Sequence, residues 1–198
     1  MLDALLRLLD RVSRVAIVAG GGLIFAAALL VSFDVIARKL AGTSLGGADE
    51  LSGYALAIST TWGFAAVLLA RGNVRVDALY QRLPVRLRGV LDLVGLTALA
   101  LFAVPLARHG YAVLETSWEL GALSNTPLKT PLWIPQSLWV AGLVLFSVVL
   151  VALLLRAAIA LVKGDDATVA RLAGARSIQE EAADEAIHGE RAAKELAP

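Results

Sequence analysis

The sequence predicts an all-α integral membrane protein: four transmembrane helices with short interfacial helices and a polar C-terminal tail. Three observations carry that prediction. Hydrophobic residues make up 58% of the 198 positions against 18% charged, and the mean hydropathy is +0.74, whereas soluble domains run nearer half apolar and a quarter charged. Formal charges are missing from four long stretches, residues 15–33, 51–70, 93–107 and 130–155. Within them the apolar residues are continuous rather than alternating, which excludes a membrane-spanning barrel. A hydrocarbon core about 30 Å thick needs roughly 20 apolar helical residues, so the first, second and fourth stretches suffice as they stand. The third reaches that length by taking in Gly89 to Leu91 and placing Asp92 near the interface. Spans are therefore expected at about 15–33, 51–70, 89–107 and 132–155, within a four-helix membrane domain over 15–163.

Each piece follows in order. Leu2, Leu5, Leu6 and Leu9 keep an i, i+3, i+4, i+7 pattern, with Asp3, Arg7, Asp10 and Arg11 elsewhere on the wheel, which predicts an interfacial N-terminal helix over 1–14. The apolar run that follows exceeds the ~7–15 residues of a signal-peptide core. It ends in Asp34, Arg38 and Lys39 without a convincing small-residue cleavage site, and so is expected to be retained as span 1. After span 2, Val76, Leu79, Tyr80 and Leu83 line one face, with Arg75, Asp77 and Arg82 off it. That segment suits either anionic headgroups or a protein contact, and Pro84 suits the first turn of the next helix. Pro105 is expected to kink or end span 3. Beyond it Val113, Leu114, Ser117 and Trp118 form an apolar-leaning face, with Glu115 and Glu119 on another. Pro127, Pro131 and Pro135, four apart, forbid regular helix until after Pro135, and Trp133 and Trp139 suit the aromatic belt. From Gly164 the last 35 residues hold eight acids and four bases. They read as a mobile cytoplasmic tail over 164–198, part helical from about Ser177, where Glu190 and Lys194 make a favourable i, i+4 pair.

Small residues recur four apart within the spans: Ala16 and Gly20, Gly22 and Ala26, and Ala55, Ser59 and Gly63. Such faces let helix backbones approach closely in lipid, and internal packing is the first reading, partner docking the second. Ser59, Thr60, Thr61 and Trp62 form the polar cluster deep in a span. Orientation follows from Lys and Arg. The N-terminal segment, the 71–92 loop and the region from Arg156 together hold fourteen; the 34–50 and 108–129 loops hold four. Both termini are expected to be cytoplasmic.

The composition also excludes functions. A net charge of +1 gives no global field for nucleic acid, and the lack of cysteine removes disulfides, thiolate metal sites and cysteine nucleophiles. Ionisable residues inside a membrane usually mark ion paths, relays or catalytic sites, and the deep spans have none. A membrane di-haem subunit needs intramembrane His pairs, but the histidines are His109, at an outer end, and His188, in the tail. No HExxH helix or P-loop is present. No enzyme activity, catalytic or substrate-binding residue, metal or cofactor is expected, and a companion subunit fits better than a self-sufficient pump.

Several segments then point to a family. Asp34-Val-Ile-Ala-Arg38-Lys39 is followed by Gly47-Ala-Asp49-Glu50-Leu51 opening span 2. Next come Trp62-Gly63-Phe64-Ala65-Ala66 and Arg71-Gly-Asn73-Val-Arg75-Val-Asp77-Ala-Leu. In this order they resemble the small permease (DctQ-like) subunit of tripartite ATP-independent periplasmic (TRAP) transporters. Pro127-Leu-Lys129-Thr-Pro131-Leu-Trp133-Ile-Pro135 is similar to the segment before that family's last span, and the resemblance covers about residues 15–155. One departure is Asn73, where many members carry His, which argues against a titratable role there. The resemblance implies a small inner-membrane subunit of a sodium-coupled system. A periplasmic substrate-binding protein would capture an organic acid, and a large membrane permease subunit, braced by this one, would carry the substrate and sodium sites.

The residues expected to meet partners are Arg38, Asp49, Glu50, Arg71, Arg75, Asp77, Pro127, Pro131 and Pro135. Each has a plainer alternative. Asp49 and Glu50 can cap span 2 and compensate its dipole. Arg38 and Lys39 can snorkel beside headgroups or pair with Asp34 and Asp49. Arg71, Arg75 and Asp77 can anchor to lipid phosphates or bridge to the large subunit. The proline segment reads as a rigid outer connection within reach of the binding protein. An independent four-helix membrane scaffold or assembly protein, unrelated to solute uptake, is the alternative function.

Overall fold

Continuous apolar helix is what a bilayer demands, because a helix satisfies its own backbone hydrogen bonds, and this chain supplies it four times. The computed structural model describes residues 2–72 and 83–174, together with positions 186 and 189. The described helices are α1 (Leu2–Ala41), α2 (Ala48–Leu69), α3 (Val85–Glu119), α4 (Trp133–Val162) and the short α5 (Asp166–Ala173). The first four are each long and apolar enough to cross a membrane. At 1.5 Å per residue, the 40 residues of α1 run about 60 Å, roughly twice the hydrocarbon thickness.

α4 is the centre. It packs against α2 on one side and α3 on the other, and also meets α1 and α5, while α1 lies mainly along α2. Its composition suits that place: Leu143, Val149, Leu150, Leu153 and Ala157 are almost completely buried. Around them gather Leu68, Ala65, Leu96, Ala103 and Leu9 from the other three spans. α1 is the opposite case. In its most apolar stretch only 11% of residues are buried by the chain itself, against 39% in α4.

Close backbone approach is built on glycine at the two seams of α2. Gly20 of α1 lies against Ser59, whose hydroxyl donates to the Gly20 carbonyl at 2.8 Å. Gly142 of α4 lies against Thr61 and Trp62, so closely that a Cβ there would sit 2.5 Å from Thr61 Oγ1. The small-residue face of Ala16, Gly20, Ala55 and Ser59 is thus used for internal packing; Gly22 and Ala26 stay exposed. At the α3–α4 seam Ser147 donates to its own helix at Leu143 O (2.8 Å) and, more weakly, to Ala103 O (3.4 Å).

Three expectations are corrected and a fourth is narrowed. The helix expected as a separate interfacial element over 1–14 is the first part of α1, because Leu9, Ser13, Ala16 and Gly20 form one unbroken buried stripe at the alternating three- and four-residue spacing of a packed helix seam. Of the two outcomes expected at Pro105, a kink or an end, the end is overturned: α3 continues to Glu119. Buried Ala103, Ala107 and Gly110 hold the turns on both sides of it, and one lost backbone bond is tolerable when neighbours fix the helix. α4 begins at Trp133, with Pro135 inside its first turn, where no intrahelical N–H is needed. Finally, residues 166–173 are not solvated tail. Gly164, at φ +71, reverses the chain, and α5 buries Thr168, Val169 and Ala173 against α3 and α4. The Val76–Leu83 face, apart from Leu83 itself, and the region about Ser177, with Glu190 and Lys194, lie outside the described residues.

Gly142→Ala is expected to destabilise the fold by about 1–3 kcal/mol, the usual cost of forcing volume into a packed seam. Gly63→Ala, with nothing within 4 Å of the added carbon, should be near neutral. Thermal unfolding of the two variants in the same detergent checks the contrast.

Candidate functional site

Helix ends leave backbone groups that their own helix cannot satisfy, and at one end of the bundle the chain gathers polar side chains around them. There α1 ends, the 42–47 loop turns into α2, and the 120–132 segment joins α3 to α4. Asp34 is the hub. It is 1% exposed, and its two oxygens take different partners. Oδ2 accepts from the Arg38 guanidinium one turn on. Oδ1 accepts from the Leu45 backbone N–H at 2.7 Å and the Ser44 hydroxyl at 3.0 Å. The carboxylate so folds the loop back onto the helix that precedes it.

Glu50 does the same for the second loop. Its Oε1 accepts from the Tyr54 hydroxyl at 2.8 Å, and its Oε2 from the Thr126 hydroxyl. The 122–132 segment closes on itself through backbone bonds from Ser124 N to Thr130 O (2.9 Å) and from Leu132 N to Ala122 O (3.0 Å). Leu123 and Pro131 form an isolated antiparallel bridge. Trp118 and Trp133 meet edge-on below it, ring centroids 4.9 Å apart. The result is a polar cavity of about 240 Å³ whose walls include Arg38, Asp49, Glu50, Thr126 and Pro127.

Of the residues singled out by sequence, four come together here: Arg38, Asp49, Glu50 and Pro127. Neither Asp49 nor Glu50 caps α2, whose N-cap Gly47 makes no side-chain cap bond; both stand in its first turn, where the helix dipole favours them. Pro131 lies in the closed loop, and Pro135 is buried in the first turn of α4. Arg71 is not part of this cluster. It sits at the other end, beyond α2, in a left-handed conformation (φ 54), and donates weakly to Ala170 O of α5 at 3.4 Å. Arg75 and Asp77 lie outside the described residues. Sequence reading did not find Thr126 or Ser44 as partners. The Asp34–Arg38 spacing signals an i, i+4 pair, but Thr126 is 76 positions from Glu50 and no local pattern links them.

The opposite end is tied by charges of its own. Arg156 Nε donates to Asp3 at 2.9 Å. Asp165 caps α5, accepting from Thr168 N at 3.0 Å. Hydrogen bonds from the Thr168 hydroxyl and backbone hold the Asp165 carboxyl below the usual carboxylate range. No cluster of three or more metal-ligating side chains occurs among the described residues. Both ends are chemically suited to holding loops and presenting surface: at the first, Asp49 and the outer side of Arg38 remain open to solvent after the internal bonds are made.

The comparisons agree with this picture. The family described as "Tripartite ATP-independent periplasmic transporters, DctQ component" matches residues 27–160. No individual curated protein and no solved structure matches significantly.

Asp34→Ala strands the Leu45 N–H and the inward side of Arg38, and is expected to lower the apparent Tm by at least about 5 °C. Asp49→Ala, which removes an exposed group, should move it by less than about 2 °C. Differential scanning fluorimetry in detergent reads both.

Proposed function

The chain belongs to the DctQ family of tripartite ATP-independent periplasmic transporter components, and from that premise we propose that it braces the large permease subunit of a sodium-coupled transporter. The cargo is an organic acid delivered by a periplasmic binding protein. As a member of that family the chain is a small multi-pass membrane subunit of a transporter.

The observation that carries the bracing role is where the polar groups of the spans are used. Ser59 bonds the Gly20 carbonyl, and the Trp62 indole donates to Leu138 O at 2.8 Å. Thr60, Thr97 and Thr116 each bond a carbonyl one turn back in their own helix. These side chains act as struts between or along helices, which suits a rigid support better than a moving binding site. Much of the apolar surface, α1 above all, faces outward, where lipid or a larger membrane partner covers it.

In the proposed orientation the protein lies in the bacterial inner membrane with both termini cytoplasmic, supported by the excess of Lys and Arg on the segments before spans 1 and 3 and after span 4. The cavity end then faces the periplasm. Arg38, Asp49, Glu50, Pro127, Pro131 and Pro135 build or border the surface offered to the binding protein and to the outer rim of the large subunit. Arg71, with Arg75 and Asp77, serves the cytoplasmic side.

Because the chain has no cysteine, single probes report topology cleanly. Ser44→Cys and Ser124→Cys should react with an impermeant maleimide in intact spheroplasts, and Ser177→Cys should be protected until the membrane is opened. Reaction of Ser177→Cys from outside would reverse the orientation. Deleting the chain should abolish sodium-dependent organic-acid uptake while the soluble binding protein keeps its ligand affinity; unimpaired uptake in the deletion strain removes the bracing role.

A further inference from the structure

A second cavity lies away from the polar end. It is a groove of about 480 Å³, open along the side of the bundle, between α1 and α4 across Trp62. That size falls within the ~300–1,000 Å³ of small-molecule sites. Val12, Val15 and Ala16 of α1 and Gly142 and Leu145 of α4 form its apolar walls, and Arg11 is the charged residue lining it. The Trp62 indole N–H is already donated to Leu138 O. The groove therefore presents hydrocarbon along its length and one guanidinium.

The state of that guanidinium matters. Arg14, one turn on, is held by Asp10 at 3.0 Å, and Arg156 by Asp3 at 2.9 Å. Arg11 has no hydrogen-bond or ion-pair partner among the described residues. Arg11 stands four residues before Val15, where the first charge-free stretch opens, and it is exposed. An unpaired cation at that edge of the hydrocarbon lies at headgroup level and draws an anion to it.

We infer that this groove binds one phospholipid, an acyl chain lying against Val12, Val15, Trp62 and Leu145 and the phosphate held by Arg11. The two halves of the site match the two halves of that ligand. A phosphate in the headgroup layer lies at the level of Arg11, and guanidinium holds phosphate oxygens through paired, charge-assisted hydrogen bonds. A partner helix would have to supply both an apolar face and a carboxylate at one end of it, whereas a phospholipid carries both halves in one molecule. This inference rests on the membrane-spanning fold and not on the transport role, so either can fail alone.

The test uses the full chain in nanodiscs of phosphatidylglycerol and phosphatidylcholine, released into mild detergent for native mass spectrometry. Wild type should retain one phosphatidylglycerol. Arg11→Gln should weaken that retention at least roughly tenfold, the loss of one charge-assisted contact. Val15→Trp, which fills the groove from an exposed position and keeps Arg11, should do the same. Arg14→Gln, outside the groove, should not. Equal retention by wild type, Arg11→Gln and Val15→Trp overturns the proposal, as does no retention by wild type. A photo-crosslinker at Val15 in native membranes gives an independent reading. Capture of phospholipid supports the site, and capture of the large permease subunit in its place overturns it.

Discussion

Hydrocarbon accepts no hydrogen bonds, and the arrangement of this chain follows from that constraint. A polar side chain in a span must find its partner within the protein. Here Ser59 and Trp62 find theirs on the neighbouring helix, at Gly20 O and Leu138 O. Each of those bonds requires a small neighbour that lets the backbones close: Gly20 against Ser59, and Gly142 against Thr61 and Trp62. Two struts from a single turn of α2 thus tie α1 on one side and α4 on the other. The placing of α4 at the centre, with α3 and α5 against its other faces, depends on that join. Ser13, buried without a partner, is an exception, and its hydroxyl has its own helix carbonyls as fallback acceptors.

How much of this was legible in the sequence divides along physical lines. The spans were legible because charge is excluded from hydrocarbon locally and absolutely: the gaps at 15–33, 51–70 and 130–155 fall inside α1, α2 and α4 with one residue of α2's gap and three of α4's beyond their helices. Helix ends were not, because they depend on what the helix packs against. The face of Leu2, Leu5, Leu6 and Leu9 sets Leu9 apart from exposed Leu8, but Asp10, Arg11 and Arg14 beyond it hide that the buried stripe runs on through Ser13 and Ala16. That Pro105 would not end α3 was hidden for the same reason, since propensity describes an isolated helix and α3 is held by α4. The eight residues of α5 look like any acidic, Ala-rich tail until Val169 and Ala173 are seen buried under α3 and α4.

The polar end shows the same division at finer scale. Asp34 and Arg38 are readable as an i, i+4 pair. That Asp34 also gathers Leu45 and Ser44 depends on the path of a loop, and that Glu50 holds Thr126 depends on two loops meeting. Asp49 and Glu50, adjacent and identical in charge, therefore have different work. Glu50 turns inward and fastens the α3–α4 connection, while Asp49 faces solvent. Sequence could name the pair but not assign the roles.

The two ends of the molecule solve opposite electrostatic problems. At the cavity end Asp34 and Glu50 are held by donors from the loops and from their own helices, so the loops are fixed while Asp49 and one side of Arg38 face solvent. At the other end Asp3 takes Arg156 and Asp10 takes Arg14, and among the described residues Arg11 is left to a groove of hydrocarbon. With no acid paired to it among the described residues, Arg11 is left to the anionic surface that the bilayer provides. The first end thus satisfies the Asp34 and Glu50 carboxylates within the chain, and the second leaves Arg11 to lipid phosphate.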